Sequence, residues 1–234
     1  MPHILDNPIW NGLLSGNKTL ARGSGQARYL RRDVGIFAGL KTNSAHDLHE
    51  LHDLLPEKNL FVLFTPDEIG IPDNWLVLEN KVILQMVYQS PQLPRGEAAQ
   101  GVPLQDKDIP AMLELTALTQ PGPFLSRTID LGQYEGIFEE DKLVAMAGQR
   151  LQPDPYTEIS AVCTHPDHTG RGYGARLVSS QISRILAASH TPFLHLNTDN
   201  TSAYKLYEKL GFQIRRPIRV YVLERRAPEG TPLH

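Results

Sequence analysis

The sequence predicts an α/β protein in which a larger unit of strands and helices follows a smaller α/β unit. Short apolar runs of strand length alternate with segments whose apolar residues recur at helical spacing. The chain has 234 residues, which is enough for one large domain or two small ones. Its 41% apolar and 21% charged residues are typical of a globular protein with a buried core.

The first 90 residues are predicted to form the smaller unit. The stretch up to Arg32 has only faint helical character, and strand-like runs follow at residues 34–40, 59–64 and 82–88. A helix is predicted between the first two runs, with Ser44 as its N-cap. Its apolar face is expected to consist of Leu48, Leu51, Leu54 and Leu55.

The second unit is predicted to span residues 102–226, after a Pro/Gly/Gln-rich linker at 91–101 and before a disordered tail at 227–234. It begins with a helix near residues 109–118 and a hairpin with an acidic turn at 139–141. The remaining predicted elements are a strand at 158–164, a helix from Ala175, a strand at 193–197, a short helix and two further strands.

Composition and charge exclude several classes of function. A net charge of -3 offers no general attraction to nucleic acid or to an anionic membrane. No run approaches the ~20 apolar residues that span a bilayer, and the N-terminus lacks the features of a signal peptide. With Cys163 as the single cysteine, no intramolecular disulfide can form, so a cytoplasmic location is expected. The nine histidines show no metal-ligand spacing, so no metal is expected.

A glycine-rich loop joins the strand at 158–164 to the following helix, through His165-Pro-Asp-His-Thr-Gly-Arg-Gly-Tyr-Gly-Ala175. Glycines allow tight turns and close approach of a ligand, and the first amides of a helix point at an anion. Arg171 could add a charge-assisted contact to a phosphate. The pattern indicates a phosphate-binding site, although a glycine turn without a ligand remains an alternative.

The same loop also fits the dinucleotide fingerprint G-x-G-x-x-A, through Gly170, Gly172 and Ala175. Only about 60 residues follow it, which is too few for the further βα units of a doubly wound sheet. A P-loop is excluded because no Lys-Ser/Thr pair follows the glycines.

Two segments together resemble the GNAT superfamily of acetyl-CoA-dependent N-acetyltransferases, over roughly residues 102–226. The loop is similar to the family's Gln/Arg-x-x-Gly-x-Gly/Ala signature, with Gly172 and Gly174 at the two small positions and Thr169 where Gln or Arg is usual. Backbone amides make most of the phosphate contacts there, so Thr169 implies weaker anchoring. The second segment, Asn200-Thr-Ser-Ala-Tyr-Lys-Leu-Tyr-Glu-Lys-Leu-Gly-Phe212, is similar to Asn-x-x-Ala-x-x-Leu-Tyr-Glu-Lys-x-Gly-Phe. The phrases around 136–138 and 192–197 resemble the glycine N-acyltransferase-like branch.

The resemblance implies a GNAT fold, which is a mixed central sheet with splayed strands and flanking helices. It also implies acetyl-CoA as co-substrate. It assigns the cofactor pyrophosphate to the loop and helix start, and the pantetheine arm to the preceding strand. Asn200 matches a position near the cofactor and could equally cap its helix. The implied cofactor-binding residues are Val162, Thr164, Gly170, Arg171, Gly172, Tyr173, Gly174, Ala175 and Asn200.

For catalysis, Tyr207 matches the tyrosine that protonates the departing thiolate. Its spacing with Ala203, Leu206 and Leu210 also fits one helix face, so a core role is the alternative. Glu158 lies eleven residues before Thr169, where some superfamily members have a general base, and a solvated strand-end carboxylate is the alternative.

Two further side chains are given structural roles. His195 is more simply a packed or surface residue than a catalytic one. Cys163 is expected to be a buried thiol, because no His and Asn/Asp set is placed to activate it.

The implied function is transfer of an acetyl or short acyl group from acyl-CoA to a primary amine, by direct attack on the thioester. The acceptor is expected to be a small-molecule amine, an amino acid or a peptide, and a homodimer is left open. A non-catalytic acyl-CoA-binding or sensor module is the alternative.

Overall fold

A computed structural model describes residues 2–54, 59–91 and 101–226. We number its helices and strands in chain order. They are α1 (Pro8–Leu14), β1 (Ala21–Ser24), β2 (Ala27–Leu30), β3 (Ala38–Leu40), α2 (Ala45–Asp53), β4 (Leu60–Thr65), β5 (Trp75–Tyr88), β6 (Val102–Pro103), α3 (Ile109–Thr119), β7 (Glu135–Glu139), β8 (Lys142–Gln149), β9 (Tyr156–Thr164), α4 (Tyr173–Ala187), β10 (Thr191–Asn197), α5 (Thr201–Lys209) and β11 (Phe212–Arg225).

Eight strands form one mixed sheet in the order β4-β11-β5-β10-β9-β8-β7-β6. Only β9 and β10 are parallel, and all other neighbouring pairs are antiparallel. Helices cover both faces of the sheet. Met146 of β8 belongs to the same hydrophobic cluster as residues of α3, whereas the next residue, Ala147, belongs to a cluster with residues of α4. Successive side chains of a strand point to opposite faces. The predicted mixed sheet with flanking helices is therefore confirmed.

Several predicted elements are confirmed, and Ser44 caps α2 by accepting a hydrogen bond from the amide of Asp47 at 3.2 Å. The hairpin β7–β8 turns at Glu140 and Asp141, which both have positive φ (47° and 62°). In the first 32 residues, helix α1 and the β1–β2 hairpin had not been predicted. The run at 34–40 forms a strand only over β3.

The prediction of residues 1–90 as a separate domain does not fit this sheet. β5 lies between β10 and β11, pairing with residues 193–197 on one side and along its whole length with β11 on the other. The first 90 residues thus supply a central strand and the edge strand β4, while β1, β2 and β3 form a sheet of their own. Most of the predicted linker (92–100) and the predicted tail (227–234) lie outside the described residues.

The end of the chain also differs from the prediction of two strands after α5. A single strand of 14 residues, β11, occupies this region. Its pairing with β5 shifts register between Ile214 and Arg216, next to Pro217. Pro217 itself pairs in register with Leu84, so the strand continues through the proline.

No helix in the described ranges is long and apolar enough to cross a membrane.

Candidate active site

The two parallel strands at the centre of the sheet separate into a cleft. β9 and β10 pair only from Tyr156 and Thr191 to Glu158 and Phe193. Beyond this point the cleft between them has a volume of about 480 Å³ and is lined by residues 159–164 of β9 and 195–197 at the end of β10. The expected splayed strands are present.

A bulge shapes the wall that β9 contributes. Met146 and Gly148 of β8 pair with Cys163 and Ser160, so one residue of β8 faces two residues of β9. Ala161, inside the bulge, has a φ of 51°. A bulge bends a strand and redirects its backbone groups, here in the segment that contains Val162. Val162 and Thr164, the predicted pantetheine-binding positions, both line the cleft.

The glycine loop leads from β9 to the N-terminus of α4. Gly170 and Gly172 have φ values of 77° and 76°, which a side chain would strain, and Gly172 is the N-cap of α4. A Cβ added at Gly174 would lie 3.9 Å from Leu206 and 4.0 Å from Val162. The first turn of α4 therefore lies close to Val162 in the wall of the cleft, and the free amides of a helix start suit a phosphate.

The side chains of this loop have protein partners of their own. Arg171 donates from Nη1 to Oε2 of Glu139 at 2.7 Å. The ring of Tyr173 is buried beside Leu177, and the Arg176 guanidinium lies 4.8 Å from its centroid. The side chains of Arg171 and Tyr173 are thus engaged within the protein, and Arg171 is tied to the β7–β8 hairpin.

Tyr207 presents its side chain to the cleft from α5. Its ring packs against Phe212 with centroids 6.0 Å apart, and its hydroxyl has no hydrogen-bond partner within the part of the chain that the structure describes. Burial raises the pKa of Tyr207 to about 12, so the phenol is protonated at neutral pH. The side chain has the predicted core packing and also borders the cleft, where the alternative role of proton donor would require it.

Asn200 likewise combines its two predicted positions. Its Oδ1 accepts a hydrogen bond from the amide of Ala203 at 3.0 Å, which caps α5, and the residue also lines the cleft. The cap fixes the start of the helix that presents Tyr207.

Glu158 is fully buried rather than a solvated strand-end carboxylate. Arg150 donates to it from Nε at 2.8 Å and from Nη2 at 2.5 Å, and Nδ1 of His195 lies 2.7 Å from its Oε1. The neighbouring Arg150 charge and these hydrogen bonds outweigh desolvation and lower the pKa of Glu158 to about 2. Glu158 is not among the residues that line the cleft. Its geometry is that of a buried ion pair and does not support the predicted role of general base.

His195 is a packed residue, as its structural interpretation predicted. Its Nε2 lies 3.0 Å from the side-chain amide nitrogen of Gln85, which also donates to the carbonyl of Leu5 at 2.9 Å. Burial lowers the pKa of His195, so the imidazole is neutral, with Nδ1–H directed at Glu158. Both ring nitrogens are occupied within the protein.

Cys163 is the buried thiol that was expected. Desolvation raises its pKa to about 11, which leaves it protonated and unreactive at neutral pH. Within residues 2–54, 59–91 and 101–226, no group of three or more His, Cys, Asp or Glu side chains is arranged to hold a metal ion.

Comparison with known proteins agrees with this geometry. The family model described as FR47-like protein matches residues 134–221. A crystal structure of a protein from Novosphingobium aromaticivorans that is assigned to the GNAT family is 34% identical. The similarity covers 97% of this chain and 100% of that one, with a TM-score of 0.89. The chain belongs to the GNAT family.

Two other matches are more limited. A GCN5-related N-acetyltransferase from Kribbella flavida shares the GNAT fold over 94% of this chain and 95% of its own, with a TM-score of 0.61 at 14% identity. A curated, uncharacterized protein of Mycobacterium leprae is 35% identical over 83 residues. That match covers 34% of this chain and only 23% of the M. leprae protein. Membership of the glycine N-acyltransferase-like branch stays a prediction.

Four of the residues that the motifs singled out line the GNAT cleft, namely Val162, Thr164, Asn200 and Tyr207. Residues 170–175 follow β9 outside this lining, and Glu158 lies behind the wall of the cleft.

Arg150 and Gln85, which hold Glu158 and His195, were not among the predicted site residues. Gln85 could have been recognised as unusual from the sequence, because it is a polar residue inside the apolar run 82–88. No local pattern in the sequence identifies Arg150. Its partner Glu158 lies eight positions away across a hairpin, and the register of that hairpin is known only from the fold.

Proposed function

We propose that this GNAT protein transfers an acetyl or other short acyl group from acyl-CoA to a primary amine. The observation that carries the proposal is the position of Tyr207. Its protonated hydroxyl, without a protein partner among the described residues, lies in the cleft that opens between β9 and β10. The acceptor would be the amine of a small molecule, an amino acid or a peptide.

The residues of the cleft fit acyl-CoA. The amides of residues 170–175 would bind the pyrophosphate, aided by the N-terminal end of the α4 dipole. The backbone of β9 at Val162 and Thr164 would pair with the pantetheine arm, with Asn200 beside it. Arg171 could reach a phosphate only by exchanging its contact with Glu139, so we assign it a secondary part in binding.

In the reaction, the neutral amine attacks the thioester carbonyl carbon, a C–N bond forms and the C–S bond breaks. Tyr207 would give its proton to the departing thiolate, which leaves as the thiol of CoA. A backbone amide of β9 would donate to the developing oxyanion. Water would take the proton of the amine and return a proton to the Tyr207 phenolate, because Glu158 is paired with Arg150 behind the wall of the cleft.

One second candidate is a protein that binds acyl-CoA without turnover. It is favoured because no residue of the two GNAT motifs that lines the cleft is a general base. Glu158 is sequestered, and Thr169 stands where Gln or Arg is usual and donates to the carbonyl of Pro166 at 3.0 Å. A sensor of this kind would need the glycine cradle but not the hydroxyl of Tyr207.

Release of CoA thiol with acetyl-CoA and a panel of amines, amino acids and peptides tests the two candidates. Turnover with any acceptor supports the transferase. Tight CoA binding without turnover across the panel would favour the sensor, and a protein that does not bind CoA would contradict both.

A further inference from the structure

The deep part of the cleft has a wall that the GNAT motifs do not contribute. Apolar side chains of β4, β5, β11 and the segment before β3 form it, together with Arg150. The apolar members are Phe37, Val62, Phe64, Ile83, Val220 and Val222. These side chains offer carbon atoms beside Arg150 that could contact an apolar portion of a ligand.

Arg150 is the charged group within this wall. Its side chain is 12% exposed, and its guanidinium carbon lies 4.8 Å from the ring centroid of Phe37 and 5.7 Å from that of Phe64. Glu158 occupies Nε and one hydrogen of Nη2. Nη1 has no protein partner among the described residues. It is not fully buried, and Arg150 lines the cleft. It is therefore accessible from the cleft.

A guanidinium has two usable edges, and Glu158 takes only one of them. The second edge consists of Nη1 and the remaining hydrogen of Nη2, which are two parallel donors with the geometry of a carboxylate. Because the two rings and Glu158 hold Arg150 in place, a ligand would not have to order it.

The surrounding charges leave this edge available. Glu158 balances Arg150, and Lys81, the other cation at the cleft, lies 2.9 Å from Glu79. His195 is neutral. No cation near the second edge is therefore placed to take the anion from Arg150.

We propose that the second edge of Arg150 binds a carboxylate carried by one of the two substrates, with Phe37 and Phe64 against its apolar portion. The assignment of the ligand as a substrate rests on the proposed acyl transfer. The carboxylate could belong to the acceptor, which would then be an amino acid with an apolar side chain. It could instead belong to the acyl group, as in the monothioester of a dicarboxylic acid.

Equilibrium binding tests the proposal without any turnover. N-acetyl-L-phenylalanine and its carboxamide are a matched pair for the acceptor source, and succinyl-CoA and butyryl-CoA are a pair for the acyl source. In one of the pairs, calorimetry should give roughly 10- to 100-fold tighter binding of the carboxylate, the range for a hydrogen-bonded charge. Equal affinities within both pairs would overturn the proposal.

Two variants assign the preference to a residue. The double variant Arg150→Gln with Glu158→Gln removes both charges of the buried pair, and it should bind carboxylate and neutral ligand equally. Lys81→Met should keep the preference, and its loss there would overturn the role of Arg150 even where the double variant does not fold. A protein that prefers the carboxylate but releases no thiol with any acceptor would contradict acyl transfer and leave the anchor standing.

Discussion

Nδ1 of His195 lies 2.7 Å from Oε1 of Glu158, in the interior of the sheet. The contact joins β10 to β9 at the last paired position before these strands separate. With Arg150 on its other side, the carboxylate holds together the point from which the cleft opens. We therefore regard Glu158 as a residue that positions the cleft.

Glu158→Gln should destabilise the protein by roughly 3–5 kcal/mol at pH 7, because it leaves the Arg150 charge buried without a partner. The folded-state pKa of about 2 lies below the ordinary value of 4.5, so this stabilisation is complete above about pH 4.5. It is lost as the pH falls towards 2. Urea unfolding at pH 7 and pH 3 measures the difference, which should narrow at pH 3. Glu114→Gln, at an exposed position, is the control. If Glu158→Gln lowers the free energy of unfolding equally at pH 7 and pH 3, the result contradicts the ion pair.

Tyr207→Phe should slow turnover by about 10²–10⁴-fold, the usual range for loss of a general acid. The thermal midpoint and CoA affinity should hardly change, because the hydroxyl has no protein partner among the described residues and the ring still packs on Phe212. Tyr204→Phe on the same helix, where the hydroxyl bonds only to Glu208 at the surface, should stay within a few-fold of wild type. Turnover of Tyr207→Phe within that margin would show that another group, or water, protonates the thiolate.

Gly172→Asp should weaken CoA binding by roughly tenfold or more, since a carboxylate would face the pyrophosphate at short range. The φ of 76° adds a strain of roughly 1–2 kcal/mol for any side chain. Gly172→Ala carries the strain without the charge, and Gly70→Asp carries the charge at an exposed glycine elsewhere. Calorimetry on the three variants separates the effects, and unchanged affinity in Gly172→Asp would remove the loop from the binding site.

Residues 102–226 alone should not unfold cooperatively, because they lack β5, which lies between β10 and β11. Adding residues 1–91 as a separate chain should restore a cooperative transition and CoA binding. Calorimetry and near-UV circular dichroism of each piece and of the mixture would show this. A cooperative transition and CoA binding by residues 102–226 alone would return the first 90 residues to the status of a separate domain.

The local signals in the sequence identified the loop and the helices of the second half. Glycines 170 and 172 occupy positions that demand positive φ, and the cap at Asn200 and the apolar face of α5 are short-range patterns. Such features depend on residues a few positions apart, so periodicity and motif could predict them.

The position of β5 could not be predicted in this way. The apolar run of β5 is typical of a strand. Its neighbours in the sheet, however, are β10 and β11, which lie far along the chain. The same limit applies to Glu158, whose partners on β10 and after β8 are adjacent only in the folded sheet. A carboxylate at a strand end resembles a general base until the side chains that bury it are known.

The position of β5 also sets the order in which the protein can be completed during synthesis. Its two neighbours are translated about a hundred residues after it, which takes roughly 5–20 s at ribosomal rates. For that time the apolar end of β5, residues 83–88, has no strand to pair with in the sheet. β4 also lacks a partner in the sheet during this time, because its neighbour is β11. A chain that stops before β10 would therefore expose two apolar strands, and folding of the sheet finishes only when the last strand of the described chain is made.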